Sequence, residues 1–317
     1  MDEHFDKHPI TMTAVRYVAV AFLLLATFPG DYEPIETGLD GSYRYAVNEL
    51  AHSDHVWGRD GGLDFGPLGY LLVPLDLGNN LTRAVTLWLV VHLVFAFCVL
   101  DAARTAPRTS GVVVFSLAYV GAAALGLPYG YHLLVVVGLL MMAALRARWH
   151  PEIAAVAGGT LAGLVLLMKL TLGVAAMSIV AAGALALWTP TDPRGRRAAL
   201  ASIAACLGTG LALSALLFES RAAFDAWIAT TVELVGGFGS AMSLSAHPSV
   251  PVLGGVALLI VFGTAFFLRR RELDVLEAGV VFGTALVLSF REGLVRQDSG
   301  ITHFFPFAIA VLAVFML

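Results

Sequence analysis

Six carboxylates, Asp40, Glu49, Asp54, Asp60, Asp64 and Asp76, are interleaved with aromatic residues and glycines in one stretch of this 317-residue chain, GLDGSYRYAVNELAHSDHVWGRDGGLDFGPLGYLLVPLD, residues 38–76. Carboxylates placed this way can remove a proton from a hydroxyl or hold a divalent cation. Two further sets of charged groups stand far away in sequence. Lys169, in LLMKLTLG, interrupts an apolar run, and REGLVRQDSGITHFF carries Arg291, Glu292, Arg296, Asp298 and His303. A bare ammonium is costly in apolar surroundings, so Lys169 should face a cavity, a partner acid or the membrane interface, or else snorkel to the surface. Arginine forks suit phosphate oxygens. Arg291 and Arg296 are therefore candidate phosphate ligands, with ion pairs to Glu292 and Asp298 as the plainer reading.

The elements that must position these groups are membrane helices. Hydrophobic residues make up 58% of the chain and charged ones 13%, and mean hydropathy is +0.82, which excludes an ordinary soluble domain. Lipid offers the backbone no hydrogen bonds, and continuous apolar runs lack the alternation of a barrel, so the spans are helical. The expected architecture is an all-α polytopic bundle, one domain over 1–317, with about ten transmembrane helices. They are placed at 13–28, 84–100, 110–127, 131–145, 153–167, 172–188, 198–218, 252–268, 275–290 and 304–317. Several fall short of the roughly 20 residues of an untilted crossing, so the pair flanking Lys169 reads as separate spans, one bent unit or a re-entrant pair.

Lys and Arg favour short cytoplasmic loops. With the N-terminus inside, every inner segment is basic: Lys7 and Arg16, Arg104 and Arg108, Arg146 and Arg148, Arg194, Arg196 and Arg197, then Arg269, Arg270 and Arg271. The opposite side receives loops 29–83, 219–251 and 291–303. This alternation favours an even number of crossings. The N-terminal region has no strongly basic leader and no small-x-small site after its apolar stretch, so the first helix is expected to be retained.

Within loop 29–83, Tyr43, Ala46, Val47, Leu50 and Ala51 recur at helical spacing, which predicts a short interfacial helix. Asp40 and Ser42 stand at its start, where either could cap free amides; Asp40 could instead act as a general base for an acceptor hydroxyl. Downstream, WGRDGGLDFGPLGY predicts a turn. Asp60 and Asp64 could hold a divalent metal there, with His52 and His55 as added ligands or as solvated loop residues, while Arg59 could bind substrate or pair with an acid. In loop 219–251, Phe224, Trp227, Ile228, Val232 and Leu234 predict a second interfacial helix, anchoring to headgroups or stacking on a sugar.

The remaining features read more plainly. Cys98 and Cys206 lie within spans as packing residues rather than a disulfide or metal framework. The Gly158, Gly159, Ala162 and Gly163 stripe permits close helix approach, within the chain or in a dimer. His92 reads as hydrogen-bonded between helices. Asn80-Leu81-Thr82 matches a short glycosylation sequon of high chance frequency. The net charge of −4 and the lack of a basic run give no reason to invoke nucleic acid.

An acidic residue soon after the first span, a juxtamembrane amphipathic helix and a GRD...FGPLGYL segment entering the second span together resemble integral membrane glycosyltransferases of the GT-C fold. The resemblance is densest over 36–75. It implies a sugar donor on a polyprenyl phosphate, a glycan, lipid or protein acceptor, and a catalytic Asp in the first outer loop, which Asp40 matches by placement; Gly41 follows it where the family carries a second acid. Lys169 and the charged 291–305 loop fit the resemblance, so the candidate substrate-binding set is Arg59, Tyr70, Lys169, Arg291, Arg296 and His303; a divalent metal at Asp60 and Asp64 stays an open alternative, and a bacterial cytoplasmic membrane is the expected setting. A transporter or flippase for a lipid-linked or anionic substrate would use the same basic residues to line a path. An inactive scaffold or a shortened enzyme is the third reading.

Overall fold

The structure is a computed structural model that describes residues 9–29, 39–53, 55–61, 64–106, 108–146, 150–189, 191–241, 249–268, 273–295 and 300–317. Arg296 and Asp298, together with Lys7, Asp54, Arg148 and Arg269, Arg270 and Arg271, lie outside the described residues.

Among the described residues the regular elements are α-helices: α1 Pro9–Ala26, α2 Leu39–His52, α3 Asn80–Thr105, α4 Thr109–Ala124, α5 Tyr129–Leu145, α6 Pro151–Met168, α7 Leu170–Leu187, α8 Pro193–Leu217, α9 Arg221–Ala241, α10 Ser249–Leu268, α11 Leu273–Val295 and α12 Gly300–Val314, with a single 3-10 turn at Gly69–Leu71. Each apolar stretch read from the sequence falls on its own helix, and α2 and α9 are the two helices expected as amphipathic within loops 29–83 and 219–251. Among the described residues, five helices are long and apolar enough to cross a bilayer: Asn80–Thr105, Pro151–Met168, Leu170–Leu187, Pro193–Leu217 and Ser249–Phe267. The protein is an all-α membrane protein.

Its centre is α5. The run HLLVVVGLLMM is apolar on all sides, and His132 to Met142 is buried throughout, as a helix enclosed by neighbours requires. It packs on α6 and α7, with α11 against α7, α8 against α6, and α1, α4 and α12 forming a further flank. The outward faces stay apolar, with Leu211, Leu216, Leu259 and Phe267 among the most exposed residues. In water such a surface would drive association; in a bilayer it meets acyl chains.

Apolar side chains gain nothing by leaving lipid for one another, so tight approach supplies the packing. The glycine stripe of α6 does this against α8: a Cβ on Gly159 would lie 2.1 Å from the Ser202 carbonyl oxygen, and one on Gly163 would lie 2.5 Å from that of Cys206. The stripe therefore serves packing within the chain.

Polar contacts fix the ends. Arg16 on α1 donates to the Ala103 carbonyl at 3.1 Å and to Thr109 Oγ1 at 2.9 Å, tying α1 to the end of α3 and the start of α4. Buried Asn48 of α2 donates to the Val73 carbonyl at 2.8 Å, accepts from the Leu75 amide at 3.0 Å, and its carbonyl accepts from Asn80 Nδ2 at 3.0 Å. The same bond buries the amide nitrogen to which a sugar at the Asn80 sequon would attach.

Candidate functional site

The α6 and α7 spans are separate helices, broken at one residue and packed on one another. At the break Lys169 is extended, with φ −153° and ψ 123°. A break leaves carbonyls at one helix end and amides at the other without partners, which is expensive away from water. The segment between α2 and α3 supplies those partners. Gly66 N–H donates to the Met168 carbonyl and Leu68 N–H to the Leu167 carbonyl, each at 3.0 Å, while Leu170 N–H donates to the Asp64 carbonyl at 3.0 Å. Phe65 thus pairs antiparallel with Lys169.

The FGPLG sequence suits this seam. A Cβ on Gly66 would sit 2.3 Å from the Leu167 carbonyl oxygen, so only glycine lets the strands of chain meet. Gly58 at φ +85° turns the loop beneath α9, where a Cβ would meet the Ala223 carbonyl oxygen at 1.9 Å. The Trp227 indole N–H of α9 then donates to the Phe65 carbonyl at 3.2 Å. The second amphipathic helix therefore clamps the first loop onto the helix break.

This backbone arrangement delivers a charged cluster. Lys169 Nζ lies 3.5 Å from Asp64 Oδ2 and 3.5 Å from Glu292 Oε1, with its ammonium 5.3 Å from the centroid of the Phe65 ring. The Tyr43 hydroxyl donates to Asp64 Oδ1 and accepts from the Asp64 amide at 3.3 Å. Tyr131 donates to Glu292 Oε2 at 3.4 Å. Four distant stretches, α2 with its following loop, the α5 start, the α6 to α7 break and the end of α11, meet here.

Two carboxylates facing one ammonium leave an excess of negative charge. Desolvation works against the Lys169 ammonium, but Glu292 and then Asp64 outweigh it, so its pKa is raised and it stays charged. Burial, with the Asp64 carboxylate adding to it, pushes the Tyr43 phenol up, so that group remains a protonated donor. The cluster is open rather than sealed: the side chains of Lys169, Asp64 and Glu292 are 22%, 23% and 40% exposed.

The other predicted residues are distributed around it. Asp40 occupies the second position of α2, one turn before Tyr43. Arg291 is exposed in the last turns of α11, next to Glu292. His303, exposed in the first turn of α12, lies within electrostatic reach of Lys169 and Glu292. Tyr70 is buried in the 3-10 turn, facing core rather than the cluster. Arg59 grips Asp60 through Nε at 2.9 Å and Nη2 at 3.0 Å, and reaches Glu219, before α9, at 3.2 Å. That grip, with the Val56 amide, holds the Asp60 carboxyl down to about 2.

A shared metal at Asp60 and Asp64 does not fit this geometry. Asp60 already faces the Arg59 guanidinium and Asp64 the Lys169 ammonium, each a cation where a metal would need open oxygens. Among the described residues no group of three His, Cys, Asp or Glu side chains converges.

The sequence singled out Lys169, with a partner acid as one of several alternatives, but did not mark Tyr43 and Tyr131 as members of the cluster. A phenol one turn into a predicted amphipathic helix, and the Pro-Tyr-Gly-Tyr-His helix start at 128–132, were the available signals. An apolar groove of about 560 Å³ lies apart from these charges, between α10 and α11, lined by Phe262, Phe266, Val280, Gly283 and Val287. No family model matches the chain, and no curated protein or solved structure matches it.

Proposed function

We propose that the chain is a membrane glycosyltransferase of the GT-C kind, moving a sugar from a polyprenyl-phosphate donor to an acceptor hydroxyl at the outer face of a bacterial cytoplasmic membrane. In this reading α1, α3 to α8 and α10 to α12 are the ten crossings, the N-terminus is cytoplasmic, and α2 and α9 lie at the outer interface. The observation that carries it is Lys169 held between Asp64 of the first loop and Glu292 at the end of α11. Groups separated by more than a hundred residues come together where a lipid-borne headgroup would meet water.

The roles of Asp64 and Lys169 follow from what each side chain already touches; those of Asp40, Arg291, Arg296 and His303 follow from the resemblance. The described oxygen contacts of Asp64 are to Tyr43 and Lys169, so Asp64 positions the loop. Asp40, one turn before Tyr43, is the base. It takes the acceptor hydroxyl proton as the acceptor oxygen bonds to the anomeric carbon; the bond from that carbon to the phosphate oxygen breaks, and polyprenyl phosphate leaves with the electron pair. One base opposite one leaving group gives inversion. Lys169 is neutralised by its two acids, so the phosphate goes to Arg291 with Arg296, and His303 donates to the leaving oxygen.

Purified protein given polyprenyl-phosphate hexose or pentose should release polyprenyl phosphate, and Asp40→Asn should stop that release while the protein stays folded. Normal turnover in Asp40→Asn would reduce Asp40 to a helix cap.

A transporter is the second reading, favoured by one observation: a charged residue at an extended break between two apolar helices, a device that ion and substrate paths share. Proteoliposomes separate the two. Movement of the lipid-linked sugar between leaflets without cleavage would select transport.

A further inference from the structure

Behind the first turn of α5, on the side away from Tyr131, lies a second polar group enclosed by apolar helices. His92 of α3 and His132 of α5 are 7% and 5% exposed. Their ring centroids are 6.1 Å apart, and Tyr129 stacks on His132 at 5.9 Å. Each imidazole is anchored through one nitrogen. His92 Nε2 donates to the Leu24 carbonyl of α1 at 2.8 Å, and His132 Nδ1 shares a hydrogen bond with the Tyr119 hydroxyl of α4 at 2.7 Å. The second nitrogens, His92 Nδ1 and His132 Nε2, and the Tyr129 hydroxyl are buried without a protein partner.

Three unpartnered polar atoms in one apolar setting are rare, because each forfeits its hydration. A carbonyl only accepts, so the His92 proton sits on Nε2 and Nδ1 presents a lone pair. His132 Nε2 is a donor or an acceptor according to the direction of the Tyr119 bond, and the Tyr129 hydroxyl can do either. The occupant must therefore donate to His92 Nδ1, and one that can also accept satisfies the other two in either arrangement. The rings in contact with the pair, Phe28, Phe95, Tyr119 and Tyr129, bring no charge, so an ion would find no counter-charge there. Two imidazoles and a phenol also fall short of a closed zinc set.

We propose that His92, His132 and Tyr129 bind one ordered water, forming an internal polar site that joins α1, α3, α4 and α5. A water about 2.8–3.0 Å from each ring nitrogen spans a centroid separation of this size, and three partners are what a buried water ordinarily has. The water pins the start of α5, whose other face presents Tyr131 to Glu292. This inference stands whether or not the transferase reading does.

The direct test is a density map of the wild-type protein in nanodiscs at a resolution that shows ordered water, with elemental analysis of the same sample. One peak within hydrogen-bond reach of His92 Nδ1, His132 Nε2 and Tyr129 Oη, with no bound metal, is expected. No peak, or a stoichiometric transition metal, overturns the proposal. A second readout compares thermal midpoints of His92→Phe, His132→Phe and the double variant. Shared water predicts that the double variant loses less than the sum of the singles; additive losses contradict it. Should a single variant fail to fold, the wild-type map decides alone.

Discussion

Replacing Lys169 by Met removes the ammonium and keeps the stem, leaving Asp64 and Glu292 facing each other. At 3.5 Å, each attraction amounts to about 5 kcal/mol at an effective dielectric of about 20. The carboxylate oxygens stand at most about 7 Å apart, twice that distance, so their bared repulsion is at least about 2 kcal/mol on the same scale. Desolvation of the lysine offsets much of the attraction, and side chains 22% to 40% exposed are partly screened by water. The expected net loss is about 2–3 kcal/mol, between the exposed and buried ranges. Unfolding in detergent, followed by tryptophan fluorescence, measures it. Adding Glu292→Gln should then restore about 1–2 kcal/mol, because the remaining repulsion disappears. If Glu292→Gln instead lowers the stability of Lys169→Met further, or the two changes simply add, the ion triad does not hold the break together.

Three other outcomes follow from the packing and the charges. Gly159→Ala drives a methyl toward the Ser202 carbonyl, 2.1 Å from the Cβ position, and should cost about 1–3 kcal/mol, seen as lower folded yield and a lower thermal midpoint. Gly66→Ala opposes the Leu167 carbonyl at 2.3 Å and should part the loop from the helix break, read as faster deuterium uptake at Gly66, Leu68 and Leu170. Asp60 has a folded pKa held below its ordinary 3.8, to about 2; its pairing with Arg59 therefore contributes fully above about pH 4 and is lost as pH falls toward 2. A carboxyl titration by carbon-13 NMR should show this, and a midpoint for Asp60 at the ordinary value would contradict it.

The helices were legible because lipid leaves the backbone few options: an apolar run such as HLLVVVGLLMM can only be a buried helix. The amphipathic α2 was likewise written in the spacing of Tyr43, Val47 and Leu50. Lys169 announced itself as a cation needing a partner, yet which acid it meets is a long-range fact. Asp64 is 105 residues before it and Glu292 is 123 after it, and no local period connects them. WGRDGGLDFGPLGY placed Asp60 and Asp64 together in sequence, while the fold sends them to different cations. The turn at Gly58 and the seam from Asp64 to Leu68 separate their roles, and neither pairing is encoded by spacing. His132 was hidden for a similar reason, since its partners Tyr119 and His92 come from other helices.

The sharpest test of the convergence on Lys169 is photolabelling. A polyprenyl phosphate carrying a diazirine beside its phosphate, reconstituted with the protein in nanodiscs, reports by peptide mass spectrometry which segments surround the headgroup. The account predicts labels within residues 38–76, around Lys169 and at 288–305, all competed by unlabelled polyprenyl phosphate and weakened by Arg291→Ala. Labels confined to the basic loops at the other end of the helices, or spread without competition, would contradict it.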